Sequence, residues 1–205
     1  MRSIVLASDY HVDDVEQMWA LFEQRSARLA SLGVHSLVVY TSIWQPGRVM
    51  VTVGIRHRHS AEELLRTPMM LEWFDLAGVV DIPAVFAGQV VEKMDLNDGP
   101  IDPAAPGLIV GVIAPVRDVG ALRNTVQDGL DRFRQAGVRK VWVYQALDDG
   151  HEVMILQEVD HETSVRRWID HPDTAAEWMS AAGFGAYPPI FVGRLAHMLS
   201  LDGPR

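Results

Sequence analysis

Apolar residues along the chain fall into short blocks whose period switches between two and about 3.6. Ile4 to Ala7 and Leu108 to Ala114 are brief apolar runs that predict strands. After each, apolar residues recur at helical spacing: Val15, Met18, Phe22, Leu29 and Leu32, then Val119, Leu122, Val126, Leu130 and Phe133. Asp13 and Asp14 suit the positive end of the first of these helices, and Gly33 and Gly137 supply the stops. Two strands follow each helix, His35 to Trp44 with Val49 to His57, and Val141 to Leu147 with Val153 to His161. Gln45-Pro46-Gly47 and Asp149-Gly150 are the turn signals between them. Leu37-Val38-Val39-Tyr40 and Val141-Trp142-Val143-Tyr144 do not alternate apolar with polar, so these strands should be covered on both faces. Ser60-Ala61-Glu62-Glu63 reads as a capping box opening a second helix, which Pro68 breaks and restarts through Trp73 and Leu76. Pro172 marks the same break later, and Val85 to Met94 and Ile190 to Leu199 read as last strands.

The element order is thus written twice, and so is the sequence. Gly33-Val34-His35-Ser36-Leu37-Val38-Val39-Tyr40 returns 104 residues later as Gly137-Val138-Arg139-Lys140-Val141-Trp142-Val143-Tyr144. Val12/Val116, Asp14/Asp118, Arg28/Arg132, His57/His161 and Pro68/Pro172 keep that spacing without a gap. One inserted residue then shifts it to 105 for Trp73/Trp178, Gly78/Gly183, Pro83/Pro188 and Phe86/Phe191. A duplication of a strand-helix-strand-strand-helix-strand unit accounts for all of this. The expected organisation is a first ferredoxin-like repeat over 1–96, a Pro/Gly linker over 97–107, and a second repeat over 108–205. Repeats of this size gain by burying one face against a twin. The fold class expected is α+β: two tandem ferredoxin-like βαββαβ repeats with antiparallel sheets packed together as an intramolecular pseudo-dimeric α/β barrel.

On that doubled frame, the broken second helix of His171 and Pro172 with Trp178 and Gly183 downstream, and the returning strand opened by Tyr187-Pro188-Pro189-Ile190-Phe191, resemble the dimeric α/β barrel superfamily. The likeness is to a fused dimer and covers nearly the whole chain. That superfamily includes antibiotic-biosynthesis-type monooxygenases, haem-degrading enzymes, isomerases and stress-responsive barrels, so it implies an architecture more than a reaction. The haem-degrading members pair a first-strand Asn with a Trp and a later His, but the strands around Leu6 and Val110 carry no Asn. A chlorite-dismutase proximal-histidine context is not recognisable either.

Composition narrows the picture. With 48% hydrophobic and 22% charged residues and no apolar run near the roughly 18 residues of a membrane span, the expectation is a soluble, cytoplasmic protein without a membrane anchor. Asp9 arrives too early for a signal-peptide core. The absence of cysteine removes disulfides, thiol nucleophiles and thiolate metal sites. A net charge of −9, acidic in both halves, offers no basic surface for nucleic acid.

Candidate chemistry is carried by aromatic and imidazole groups. Tyr40 and Tyr144 stand at matching strand positions, where a phenol either packs or lines a cavity. His57 and His161 recur just before the second helix, as acid, base or orienting groups or as loop ties. His57 and His59 would share a strand face near His35, but copy two has His161, Thr163 and Arg139 there, so no metal is expected. No haem, flavin or other cofactor is expected, since no Walker loop, strand-led dinucleotide fingerprint, Gly-x-Ser-x-Gly or His-Glu-x-x-His occurs. Trp168 and His171 are peculiar to copy two, where copy one has Leu64 and Thr67. The expected pocket is therefore the copy-two cleft between second helix and sheet. Tyr144, His161 and His171 are its catalytic candidates and Trp168, Trp178 and Tyr187 its ligand-binding walls, with Tyr40 and His57 as the ligand-binding candidates of copy one. The copy-one cleft should be less polar, or filled. Three function classes fit: an oxygenating or isomerising enzyme on a small apolar or aromatic molecule, a module that binds such a molecule without turnover, and a structural protein-interaction module. The fused pair meets the usual dimer interface internally, so either a monomeric pseudo-dimer or a higher homo-oligomer is compatible.

Overall fold

In a computed structural model of the chain, the structure describes residues 4–96, 107–170 and 189–201, with the backbone alone at 69, 71 and 167–170. Apart from Gly107, the expected linker lies outside the described residues. Repeat one runs β1 (Ile4–His11), α1 (Val15–Gln24), α2 (Ser26–Ser31), β2 (Val34–Ser42), β3 (Arg48–Ile55), α3 (Arg58–Arg66), α4 (Pro68–Leu76) and β4 (Ala84–Asp95). Repeat two runs β5 (Leu108–Pro115), α5 (Val119–Asp128), α6 (Leu130–Gln135), β6 (Val138–Ala146), β7 (Glu152–Val159), α7 (Glu162–Asp170) and β8 (Ile190–Ser200). The α+β order expected from the doubled pattern is the order observed.

Local chemistry sets the boundaries. Asp14 and Asp118 cap α1 and α5, each carboxylate accepting from a backbone N–H three residues on, Gln17 at 3.0 Å and Ala121 at 2.8 Å. Gly33 and Gly137 follow α2 and α6 at φ +87° and +81°, a region a side chain resists. Thr67 is extended at φ −82°, ψ 143° because the residue before a proline is driven out of helical geometry, and Pro68 then starts α4 at a position that needs no N–H. Three expectations need correction. The first helix of each repeat is two segments, broken at Arg25 and at Gly129. The capping box at Ser60 is not the helix start: α3 begins at Arg58 behind His57, where the Arg58–Glu62 pair at 2.8 Å spans the first turn. And β3 stops at Ile55, so His57 and His59 share no strand face.

The chain divides into two compact units that do not coincide with the sequence repeats: residues 1–87 with 193–205, and residues 88–192. In unit 1 the strands hydrogen-bond in the antiparallel order β1-β3-β2-β8; in unit 2 the order is β5-β7-β6-β4. The last strand of each repeat thus pairs with the second strand of the other. Ser36 to Ser42 align with Ser200 to Gly193, and Gly88 to Asp95 with Ala146 to Lys140.

The core of unit 1 lies between its strands and α1, α2 and α4. Tyr10, Leu37, Val39, Val49 and Val51 from the strands meet Met18 and Phe22 from α1, all nearly or wholly buried. Each such side chain contributes about 1.5–3 kcal/mol by leaving water. Val49, Met50 and Val51 are buried in succession, as are Val153, Met154 and Ile155, so the central strands are covered on both faces as their unbroken apolar runs require.

Candidate functional site

Unit 1 does not fill the space between its helices and its strands. A cavity of about 70 Å³ remains there, room for several water molecules. Its floor is the strand face made by Leu6 and Ser8 of β1 and Val51 and Val53 of β3. Its walls are Phe22 of α1, Leu29 of α2, Leu64 of α3, and Met70, Trp73 and Phe74 of α4. The break between α1 and α2 adds Arg25 and, one turn on, Arg28.

Two features hold the walls in place. Phe22 and Trp73 stack with centroids 3.9 Å apart, joining α1 to α4, and Phe74 meets the buried Tyr10 edge-on at 5.5 Å. Tyr10 lies behind the wall, its hydroxyl donating to Met18 Sδ at 3.4 Å. Burial pushes its phenol pKa far above the ordinary value, a shift the Trp73 side chain only partly offsets, so Tyr10 is a neutral structural group.

The lining is almost wholly apolar: Ser8, Arg25 and Arg28 border the cavity but add very little polar surface to it. Among the described residues neither arginine side chain takes part in an ion pair or hydrogen bond. An aromatic-walled space with few polar groups at one end is the usual make-up of a small-molecule site. Among the described residues no group of three or more His, Asp or Glu could hold a metal ion.

The residues singled out in the sequence fall as follows. His171, Trp178 and Tyr187 lie outside the described residues, as does the side chain of Trp168. Their copy-one counterparts are informative. Leu64, matching Trp168, and Trp73, matching Trp178, both line the unit 1 cavity, whereas Thr67 bonds back to Leu64 O at 2.8 Å and Ile82, matching Tyr187, is 95% exposed. Tyr40 is in register with Met50, between Val39 and Thr41, and so projects from the strand face opposite the cavity floor. Tyr144 is likewise in register with Met154. His161 lies beyond the end of β7, seven residues and roughly 20 Å past Met154, so Tyr144 and His161 do not converge. His57 and His161 are exposed and stand at helix starts, where their carbonyl oxygens accept from Ala61 N at 3.2 Å and Val165 N at 3.3 Å. Ser8, Arg25 and Arg28 were missed. The signal was present as asymmetry: Ser8 corresponds to Val112 and Arg25 to Gly129.

Comparison with known structures agrees with this architecture. The chain is similar over 99% of its length, at 15% identity and a TM-score of 0.72, to 95% of an anthrone oxidase-like protein. It is similar over 98% of its length, at 8% identity and a TM-score of 0.61, to 97% of a proposed monooxygenase from Lactobacillus acidophilus NCFM. A third likeness, at 9% identity and a TM-score of 0.53 over 96% of both chains, is to a ferredoxin-fold protein related to antibiotic biosynthesis monooxygenases from Listeria monocytogenes 4b F2365. No protein-family model and no curated protein matches the sequence. The chain therefore shares the fold of these proteins, a ferredoxin-like α+β arrangement written twice in tandem.

Proposed function

We propose that this protein binds a small, mostly apolar aromatic molecule in the unit 1 cavity, between Phe22, Trp73 and Phe74. The observation that carries this is the unfilled, aromatic-walled space beside the buried core of unit 1. A well-packed interior keeps few voids larger than a water, and a void of this kind costs stability unless something occupies it. No helix among the described residues is long and apolar enough to cross a membrane.

A second reading, that the bound molecule is oxygenated without a resident cofactor, is favoured by the fold likeness to proteins named for oxidase and monooxygenase activity. It requires the same cavity, so binding is tested first. The neutral probe 2-naphthamide, titrated while tryptophan fluorescence is followed, should bind saturably to the parent protein. Binding should be lost in Leu29→Phe, which installs the residue copy two carries at that position and fills the cavity. Tyr144→Phe and His171→Ala should leave it unchanged. The reverse pattern would move the site to the copy-two cleft, and an unsaturable titration would remove the proposal. Oxygen uptake with electron-rich hydroxyarenes then separates turnover from binding alone.

A further inference from the structure

We infer that unit 2 holds a second ligand site, separate from the unit 1 cavity and independent of it, in which the Gln157 carboxamide is the recognition group. Its ligand is a small neutral molecule that presents an N–H donor beside a carbonyl acceptor, as a lactam does.

The state of Gln157 carries the inference. The residue is only 8% exposed, and among the described residues its carboxamide has no hydrogen-bond partner. Buried polar groups are paired as a rule, because an unpaired one keeps the whole cost of leaving water. Thr52 and Ser164 are the other buried polar side chains among the described residues, and each has a single hydroxyl. Gln157 has two N–H donors and an oxygen acceptor to satisfy. The repeat shows that an apolar residue fits this strand position. Copy one has Val53 there, on the floor of the unit 1 cavity.

The surroundings define the ligand. Gln157 of β7 is in register with Val110 of β5 and Val141 of β6, so the three share one strand face. The matching face of unit 1, with Leu37 and Val51, meets α1, and in unit 2 α6 packs on β6 and α7 on β7. Val141 is fully buried, whereas Val110 and Val112 keep part of their surface accessible, so this face is not completely covered. The neighbours of Gln157 on it are apolar. Glu158 turns to the opposite face, where it pairs with Lys140 at 3.1 Å. A charged ligand would find no counter-charge beside Gln157, so the ligand is neutral. It is also small: Phe133 is buried where unit 1 has the cavity-lining Leu29, which leaves less room than the two rings of a naphthyl group need. A lactam meets the carboxamide through two antiparallel N–H···O bonds, each partner donating one and accepting one.

The test uses δ-valerolactam and its N-methyl derivative, which lacks the donor, in NMR titrations of the full chain. The side-chain NH2 signal of Gln157 is assigned by its loss in Gln157→Leu. δ-Valerolactam should shift that signal saturably, and the N-methyl compound should bind about three- to tenfold more weakly. In Gln157→Leu the two probes should bind equally and weakly. That variant should melt at the same temperature as the parent or higher, since it removes an unpaired buried amide without leaving a void, and its melting curve shows that it is folded. Saturating 2-naphthamide should not displace the lactam. An unmoved Gln157 signal, equal binding of the two probes by the parent, displacement by naphthamide, or a lower melting temperature for Gln157→Leu would each overturn the inference. The last would show that the carboxamide already has a structural partner.

Discussion

Gly78 and Gly137 both adopt positive φ, +67° and +81°, yet their surroundings differ. A Cβ on Gly78 would meet nothing within 4 Å, while one on Gly137 would strike the Asp160 carboxylate and lie 2.6 Å from Ser164 Oγ. Gly78→Ala should therefore cost about 1 kcal/mol, the backbone penalty alone, and Gly137→Ala about 2–4 kcal/mol as overpacking is added. Chemical denaturation of the two variants checks the difference, and equal losses would contradict it. Asp81 offers a pH-dependent case. It accepts from the His11 backbone N–H at 2.9 Å and contacts His11 Nδ1 at 2.6 Å, and the backbone bond is the first cause of its lowered pKa. A depressed carboxylate pKa contributes stability that is present above about pH 4 and fades as the pH falls through the folded value. The side chain is 43% exposed, so Asp81→Asn should cost under about 1 kcal/mol at pH 7 and progressively less toward pH 3. A deficit that grew on acidification would reverse the sign. At this scale the sequence was readable where a residue has one job. Gly33, Gly137, Asp14 and Pro68 act where their chemistry puts them. His57 was not, because a histidine before a helix looks the same whether its ring works or only its carbonyl does.

Elements were legible in number and order because period and punctuation change together. They were less legible where a boundary has no dedicated residue. The break at Pro68 announces itself, but the break at Arg25 has neither proline nor glycine, and the apolar spacing runs through it unbroken. Ser60 offered a complete capping box, yet α3 starts two residues earlier. The pairing of β8 with β2 and of β4 with β6 could not be read at all. Two near-copies present the same strand edges, and nothing local says which edge a last strand will choose. The pairing has a consequence. Residues 1–96 expressed alone keep β4 but lose β8, leaving the β2 edge from Ser36 to Ser42 unpaired. Such an edge recruits a strand from another chain, and β4 of a second copy is the matching one. The fragment should therefore elute as a dimer that dissociates on dilution, whereas a well-folded, concentration-independent monomer would show that β8 is dispensable to unit 1.

For the molecule as a whole, the duplicated pattern gave the architecture and pointed to the copy with more polar and aromatic residues. The described cavity lies in the other copy. A cavity is a deficit of volume, and single letters conceal it: Leu29 against Phe133 reads as a conservative exchange, although in unit 1 it leaves space beside Phe22. Arg25 against Gly129 was equally visible, but its meaning depended on a helix break that the pattern did not show. The account therefore stands on the unit 1 cavity holding a small aromatic molecule. A crystal structure of the protein soaked with 2-naphthamide tests this most directly. The ring system should lie between Phe22, Trp73 and Phe74. An empty unit 1 cavity with naphthamide bound elsewhere would contradict it.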